Sequence, residues 1–174
     1  MRHGPPSGRA DPGVVRPARR TGRHLGLISL ASVSGHISVL RVSHPHAEHT
    51  ERVGFGEAGG RPNAWLARRQ VPAPDHDRLD QRGPILGAET RREVATRVGA
   101  CVGELMADTD HDHVVVTHGY ALTFVITTWM MIPVDAAGFA SFATEPGAIT
   151  HLRHDDYWRN RTLVDLADTS HLRA

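Results

Sequence analysis

The sequence has no lysine, a single cysteine and few aromatic residues. All 20 of its basic residues are arginines, and aromatic residues make up 5% of the 174 positions. The lone Cys101 excludes an internal disulfide and a multi-cysteine metal site. The shortage of aromatic side chains argues against a stacking surface for nucleic acid, and the net charge of +1 implies no general attraction to nucleic acids or membranes. We therefore expect neither a nucleic acid nor a membrane as a partner.

A long hydrophobic run is also missing. The longest apolar stretch, residues 121–134, is too short to cross a bilayer comfortably and is better explained as a buried helix. Polar and proline-rich sequence follows Met1, which is not the pattern of a secretion signal. We expect one globular domain over residues 1–174, located in the cytoplasm.

The quality of the pattern changes along this domain. Residues 1–53 are irregular, and only residues 25–30 and 37–42 are candidate strands there. Residues 54–174 are well patterned: Thr90 and Glu93 form a capping box in front of an apolar helical stripe. Further on, the pattern predicts a buried strand, an apolar helix and two more strands, at residues 113–117, 120–131, 148–152 and 162–166. This succession indicates a layered α/β domain.

A histidine and a glycine follow the buried strand of residues 113–117. Ligands of open α/β sheets bind beyond the carboxyl ends of the strands, which is where this pattern places His118. Gly119 then opens a helix whose free amides suit a phosphate, and a protonated imidazole beside it would stabilise negative charge. The alternative is that His118 only caps the helix or hydrogen-bonds within the turn.

Four segments together resemble the histidine phosphatase (phosphoglycerate-mutase-like, branch 1) superfamily. Val-Val-Thr-His-Gly at 115–119, Gly-Ala-Glu at 87–89 before a helix carrying Arg97, Phe-Gly-Glu-Ala-Gly-Gly at 55–60 and Asp-Thr-Ser-His-Leu at 168–172 are similar to motifs of that family. The resemblance implies a three-layer α/β/α fold with a mostly parallel central sheet. It also implies that part of the first strand is lacking here, because only Met1 precedes the family's Arg-His-Gly letters at Arg2-His3-Gly4.

The resemblance also implies roles for individual residues. His3 corresponds to the nucleophile that carries the phosphoryl group, with Arg2 and Gly4 binding phosphate beside it. His46 takes the place of a phosphate-binding arginine, and Glu51 or Glu57 is the candidate general acid, although a solvated surface position is an alternative for both. His118 and Gly119 would stabilise the transferred group. No metal and no cofactor are implied.

Two functions remain open at this point. The first is a phosphomonoester hydrolase that forms a phosphohistidine intermediate on a small phosphorylated substrate. The second is a catalytically impaired member that binds a phosphorylated ligand or a protein partner without turnover. An incomplete sheet would leave an unpaired edge, which a homodimer could cover.

Two histidine clusters suggest other sites. His44, His46 and His49 have a spacing that can converge on zinc, but an extended loop does not fix their geometry, and we disfavour a metal site. The sequence His111-Asp112-His113 precedes a strand and is interpreted as a solvated turn.

Overall fold

The computed structural model describes residues 22–30, 37–41, 56–82, 84–108 and 110–173. These residues form five strands, β1 Gly22–Leu30, β2 Ile37–Arg41, β3 His113–His118, β4 Ile149–Asp155 and β5 Arg161–Asp168. They also form the helices α1 Asn63–Ala67, α2 Arg91–Ala107, α3 Gly119–Trp129 and α4 Val134–Ala137. The expected α/β class and the predicted order of helices and strands are confirmed.

The five strands form one sheet in the order β2-β3-β1-β4-β5. The central pair, β1 and β3, is parallel, and the other three pairs of neighbours are antiparallel. Among the described residues, parallel pairing is therefore limited to the centre of the sheet. The expectation was a mostly parallel sheet. Strands β4 and β5 are antiparallel because a short turn joins them, and only antiparallel neighbours can be linked so closely.

Helix α2 begins where the capping box predicts. The Thr90 hydroxyl accepts a hydrogen bond from the Glu93 amide at 3.1 Å, and the Glu93 carboxylate accepts one from the Thr90 amide at 2.7 Å. These bonds satisfy two of the amides that the first helical turn leaves unpaired. The predicted apolar stripe is buried, at Val94, Val98, Val102 and Leu105.

Helix α3 is buried on nearly all sides, as its apolar sequence predicts. Leu122, Phe124, Val125 and Ile126 are each at most 1% exposed, and they pack into the main hydrophobic core. Pro133 lies at the start of α4, four residues after α3 ends. None of the described helices combines the length and the apolar character needed to cross a membrane.

The two faces of the sheet are buried to different degrees. Leu25, Leu27, Val115 and Leu152 are at most 1% exposed and belong to the same core cluster as α2 and α3. Side chains that alternate onto the opposite face, such as those of Val114 and Val116, are only partly buried. Within the described part of the chain, α2 and α3 therefore cover one face, and the third layer of the expected fold is not among these residues.

Strand β1 is the parallel neighbour of the strand that carries His118. It extends over nine residues. Its last residue, Leu30, is in register with His118. The Arg2-His3-Gly4 sequence is not part of this strand and lies outside the described residues.

Candidate active site

His118 lies at the carboxyl end of β3, and no residue separates it from α3. Its backbone is extended, with φ −104° and ψ 155°, and its side chain is 4% exposed. Its side chain makes no capping hydrogen bond to α3, which excludes the helix-cap alternative. The imidazole is thus buried at the end of β3 and does not cap the first turn of α3.

Gly119 occupies a crowded position in the first turn of α3. A Cβ atom placed there would lie 3.1 Å from the Cγ2 atom of Thr144. This is closer than most real contacts of a Cβ atom, so glycine allows residues 141–147 to approach the start of the helix. The glycine therefore has a packing reason in addition to the expected one, an approach of the backbone to an anion.

The amino-terminal ends of α2 and α3 meet at the same edge of the sheet. Helix α2 leads through a short connection to the amino end of β3, so its own first turn lies at the opposite edge, beside His118. The Arg91 guanidinium at the start of α2 lies over the rings of Tyr120 and Phe124, 5.7 Å and 6.0 Å from their centroids. Two helix dipoles and an arginine thus give this edge a positive potential, which favours an anion.

Tyr120 is a half-exposed aromatic residue at this edge. Partial burial raises the pKa of its hydroxyl, and the positive charge of Arg91 opposes that rise. The hydroxyl is therefore neutral near pH 7 and can donate a hydrogen bond. Neither Arg91 nor Tyr120 was selected as a site residue from the sequence. Arg91 could have been identified from its position in the first turn of the helix that leads to the His118 strand.

Arg97 and Glu89 form an ion pair just inside this edge. The Arg97 Nε and Nη2 atoms both lie 3.3 Å from the carboxylate of Glu89, and both side chains are about four-fifths buried. This pairing places the Gly87-Ala88-Glu89 segment against α2. Arg97 is engaged with Glu89, so it would have to change partner to bind a phosphate group directly.

Glu57 is exposed and its carboxylate makes no hydrogen bond or ion pair with any described residue. Its backbone is well fixed: the Glu57 amide donates to the Leu86 carbonyl at 3.0 Å. The short 3₁₀ helix Gly56–Ala58 is thereby attached to the loop that precedes α2. The other residues that the sequence selects, Arg2, His3, Gly4, His46 and Glu51, lie outside the described residues, as do His44 and His49.

The predicted solvated turn at residues 111–113 is only partly correct. Asp112 is exposed, but His113 is the first residue of β3 and is 5% exposed. The strand begins at His113, as predicted, and His113 is buried there because it is in register with the buried Leu25 of β1. Across the described ranges, no group of three His, Cys, Asp or Glu side chains has an arrangement that could hold a metal ion.

Residues 39–168 match the family model of the histidine phosphatase superfamily, branch 1. This match covers well over half of the chain. The chain therefore belongs to the histidine phosphatase superfamily, branch 1. A search of curated proteins finds no significant match.

Solved structures of this fold resemble the chain. The α-ribazole phosphatase from Shigella flexneri superposes with a TM-score of 0.50 at 14% sequence identity, over 83% of this chain and 96% of that one. A protein from Escherichia coli K-12, described provisionally as an α-ribazole-5′-P phosphatase, has a TM-score of 0.47 at 15% identity, over 84% and 96% of the two chains. At this level of identity, the first likeness supports the fold and nothing finer.

Proposed function

We propose that this protein is a phosphomonoester hydrolase that acts on a small phosphorylated substrate at the His118 edge of the sheet. The observation that carries the proposal is the junction of β3 with α3, where the buried His118 is followed directly by the start of a helix. Phosphoryl transfer needs positioned positive charge more than it needs covalent chemistry. The two helix amino termini, Arg91 and His118 supply such charge at one place, and membership of the histidine phosphatase superfamily supports the same reaction.

The proposed reaction has two steps. The imidazole of His3 attacks phosphorus, a P–N bond forms, and the P–O bond to the leaving group breaks. Glu57 or Glu51 donates a proton to the leaving oxygen, and Arg2, Gly4, His46, His118 and the Gly119 amide hold the phosphoryl oxygens. Water then attacks phosphorus while the same glutamate carboxylate takes up a proton from it, and the P–N bond breaks, which releases phosphate and restores both His3 and the acid. No metal and no cofactor enters this scheme.

A second candidate, binding of a phosphorylated ligand without turnover, is favoured by one specific observation. The residue of β1 in register with His118 is Leu30, and the strand ends in Ile28-Ser29-Leu30, which includes no nucleophile of the required type. In this alternative the positive edge still attracts an anion, because the helix termini and Arg91 do not depend on the nucleophile.

Hydrolysis of an aryl phosphate without added metal tests the first proposal. The comparison uses the wild type, His3→Ala, His118→Ala and, as a matched control, the exposed His171→Ala. We expect His3→Ala to abolish turnover, His118→Ala to reduce it about 10²-fold or more, and His171→Ala to leave it unchanged. Acid-labile radiolabel on the wild-type protein, absent from His3→Ala, would identify the phosphohistidine.

The same set of proteins separates the two candidates. A wild type that binds inorganic phosphate in calorimetry, loses that binding in His118→Ala and shows no turnover would establish the binding-only function. Turnover that survives in His3→Ala but not in His118→Ala would overturn the assignment of the nucleophile while leaving the site in place.

A further inference from the structure

A small cavity lies at the end of the sheet opposite His118. It has a volume of about 20 Å³ and lies below the carboxyl-terminal ends of α2 and α3, at the amino ends of β1 and β3. His113 lines it at one end of β3, whereas His118 lies at the other end. The two histidines are five positions apart along β3, or about 16 Å, so the cavity is not part of the proposed active site.

Arg161 is an arginine in this cavity without an acidic partner. One of its Nη atoms donates to the Trp129 carbonyl at 2.9 Å and contacts the Met106 sulfur at 3.1 Å, and its guanidinium lies over the Trp129 ring. It forms no ion pair with any carboxylate among the described residues. Arg23, its neighbour in the lining, differs, since its Nε lies 3.5 Å from the Asp156 carboxylate.

The pKa of Arg161 is consistent with this imbalance of charge. Burial lowers it most, and the positive charge of Arg23 lowers it further. Burial disfavours the charged guanidinium, and the positive charge of Arg23 repels it. An anion bound beside Arg161 would oppose both effects.

Two buried hydrogen-bonding groups in the same lining lack partners. The indole Nε1 of Trp129 makes no hydrogen bond to a described residue, and neither ring nitrogen of His113 makes one. Trp129 and His113 are each 5% exposed. An indole N–H can only donate, and a neutral imidazole carries one donor. Buried donors that lack an acceptor are rare in folded proteins and call for a bound group that accepts.

The carboxylates near the cavity are already engaged. Asp108, which lines the cavity, binds His111 at 2.9 Å and lies 3.7 Å from His113 Nε2, beyond hydrogen-bonding distance. The hydrogen bond from His111 holds the pKa of Asp108 below its usual value. Asp156 pairs with Arg23 and with His154. Neither carboxylate reaches Arg161 or Trp129.

We propose that this cavity binds one small monovalent anion of the size of chloride, held by Arg161, the Trp129 indole N–H and His113. The donors and the uncompensated charge select an anion. The volume selects a small one, since about 10–15 Å³ is the minimum for one water-sized occupant. The bound ion joins the end of α3 to the first residues of β3 and β5, so it stabilises the fold at the edge remote from catalysis.

Thermal unfolding in sodium chloride and in sodium gluconate at equal ionic strength tests this proposal. Because an ion that binds only the folded state raises its stability, chloride should raise the melting temperature of the wild type in a saturable way, and gluconate should not. Arg161→Gln should weaken the apparent affinity for chloride about tenfold or more, since it removes a charged donor. The matched control Arg159→Gln removes an exposed arginine of the same hairpin and should keep the wild-type response.

Trp129→Phe provides a second variant in case Arg161→Gln does not fold. It keeps a buried ring and removes the indole donor, so it should also weaken the chloride effect. Crystals grown in bromide should show an anomalous peak between Arg161 and Trp129. Identical melting in chloride and gluconate, or a cavity filled only by water in bromide crystals, would overturn the proposal.

Discussion

At the residue scale, the environment of a side chain decides more than its type. The sequence contains 13 histidines, and the type alone does not distinguish His118 from the rest. His118 could be selected because a run of valines precedes it and a glycine follows it, which predicts a strand end. His113 was misjudged because its neighbours are charged, although strand pairing with β1 buries it. A local pattern cannot contain that information, since the pairing residues are far apart in the chain.

Two glycines with similar backbones differ in what surrounds them. Gly56 and Gly60 both have positive φ, at 51° and 75°. A Cβ on Gly56 would overlap the Leu86 carbonyl oxygen and lie 2.5 Å from the Gly87 carbonyl carbon, whereas a Cβ on Gly60 would meet nothing within 4 Å. The first position therefore combines a left-handed conformation with a close backbone approach, and the second has only the conformation.

We expect Gly60→Ala to cost about 1 kcal/mol of unfolding free energy, from the left-handed conformation alone. Gly56→Ala should cost clearly more, because the Leu86–Gly87 backbone must also move. Chemical denaturation of both variants beside the wild type measures the difference. Equal losses for the two variants would mean that residues 85–88 shift without cost.

At the element scale, α2 is the helix that the sequence describes best. Its start, its stripe and its capping box all follow from local chemistry, and all are present. Helix α3 could be predicted equally well from its apolar run. The arrangement of the sheet could not be predicted, because strand order and direction depend on which distant segments pair.

The capping box makes a prediction about Thr90. Thr90→Ala removes the acceptor for the Glu93 amide, so it should cost about 1 kcal/mol of unfolding free energy. For a domain of this size the melting temperature should fall by about 2–4 °C. The matched control is Thr96→Ala, an exposed threonine in the same helix, which should change stability little. A loss of the same size in both variants would show that helix propensity, and not the cap, is responsible.

Strand β1 shows where local reasoning about a whole element stops. Its apolar residues predicted a strand at residues 25–30, and the structure has one at Gly22–Leu30. The central position of that strand, beside the His118 strand, was not predicted, because the order of strands in a sheet does not follow from local sequence. Packing decides it: Leu25 and Leu27 fill the core opposite α3 and are 0% exposed.

At the scale of the whole molecule, acid should destabilise the fold through its carboxylates. Four acidic groups have a pKa held below the usual value, in each case mainly by a hydrogen bond to the ionised form, namely Asp80, Glu93, Asp108 and Asp168. A lowered folded-state pKa contributes stability above the unfolded-state value, and this contribution disappears as the pH falls through the folded-state value. The contribution of these carboxylates to stability should therefore be constant near neutral pH and decrease below about pH 4.

Asp168 tests this dependence at one position. Its carboxylate accepts from the Ser170 amide at 2.8 Å and from the Ser170 hydroxyl at 2.9 Å, and these bonds lower its pKa from the usual 3.8. Asp168→Asn should be less stable than the wild type at about pH 6. The difference in unfolding free energy should become smaller at about pH 3, where Asp168 of the wild type is protonated and therefore also neutral. Denaturant unfolding at the two pH values measures this difference.

Asp165→Asn is the control for this experiment. Asp165 is exposed on the same strand, and its carboxylate forms no hydrogen bond with a described residue. Its substitution should leave stability nearly unchanged at both pH values. If the loss of unfolding free energy in Asp168→Asn does not vary with pH, the loss comes from packing and not from the charge of Asp168.

Local patterns in the amino-acid sequence were enough to predict the layered α/β class, helices α2 and α3, the position of His118 at a strand end, and a resemblance that the family match confirms. These features depend on residues close together in the chain, where helical and strand periodicity and capping chemistry act. Folding establishes the strand order, the parallel pairing of β1 with β3, the Arg91–Tyr120 contact and the cavity around Arg161. Each of these joins residues far apart in sequence, and their contacts exist only after the sheet has paired and the helices have packed on it.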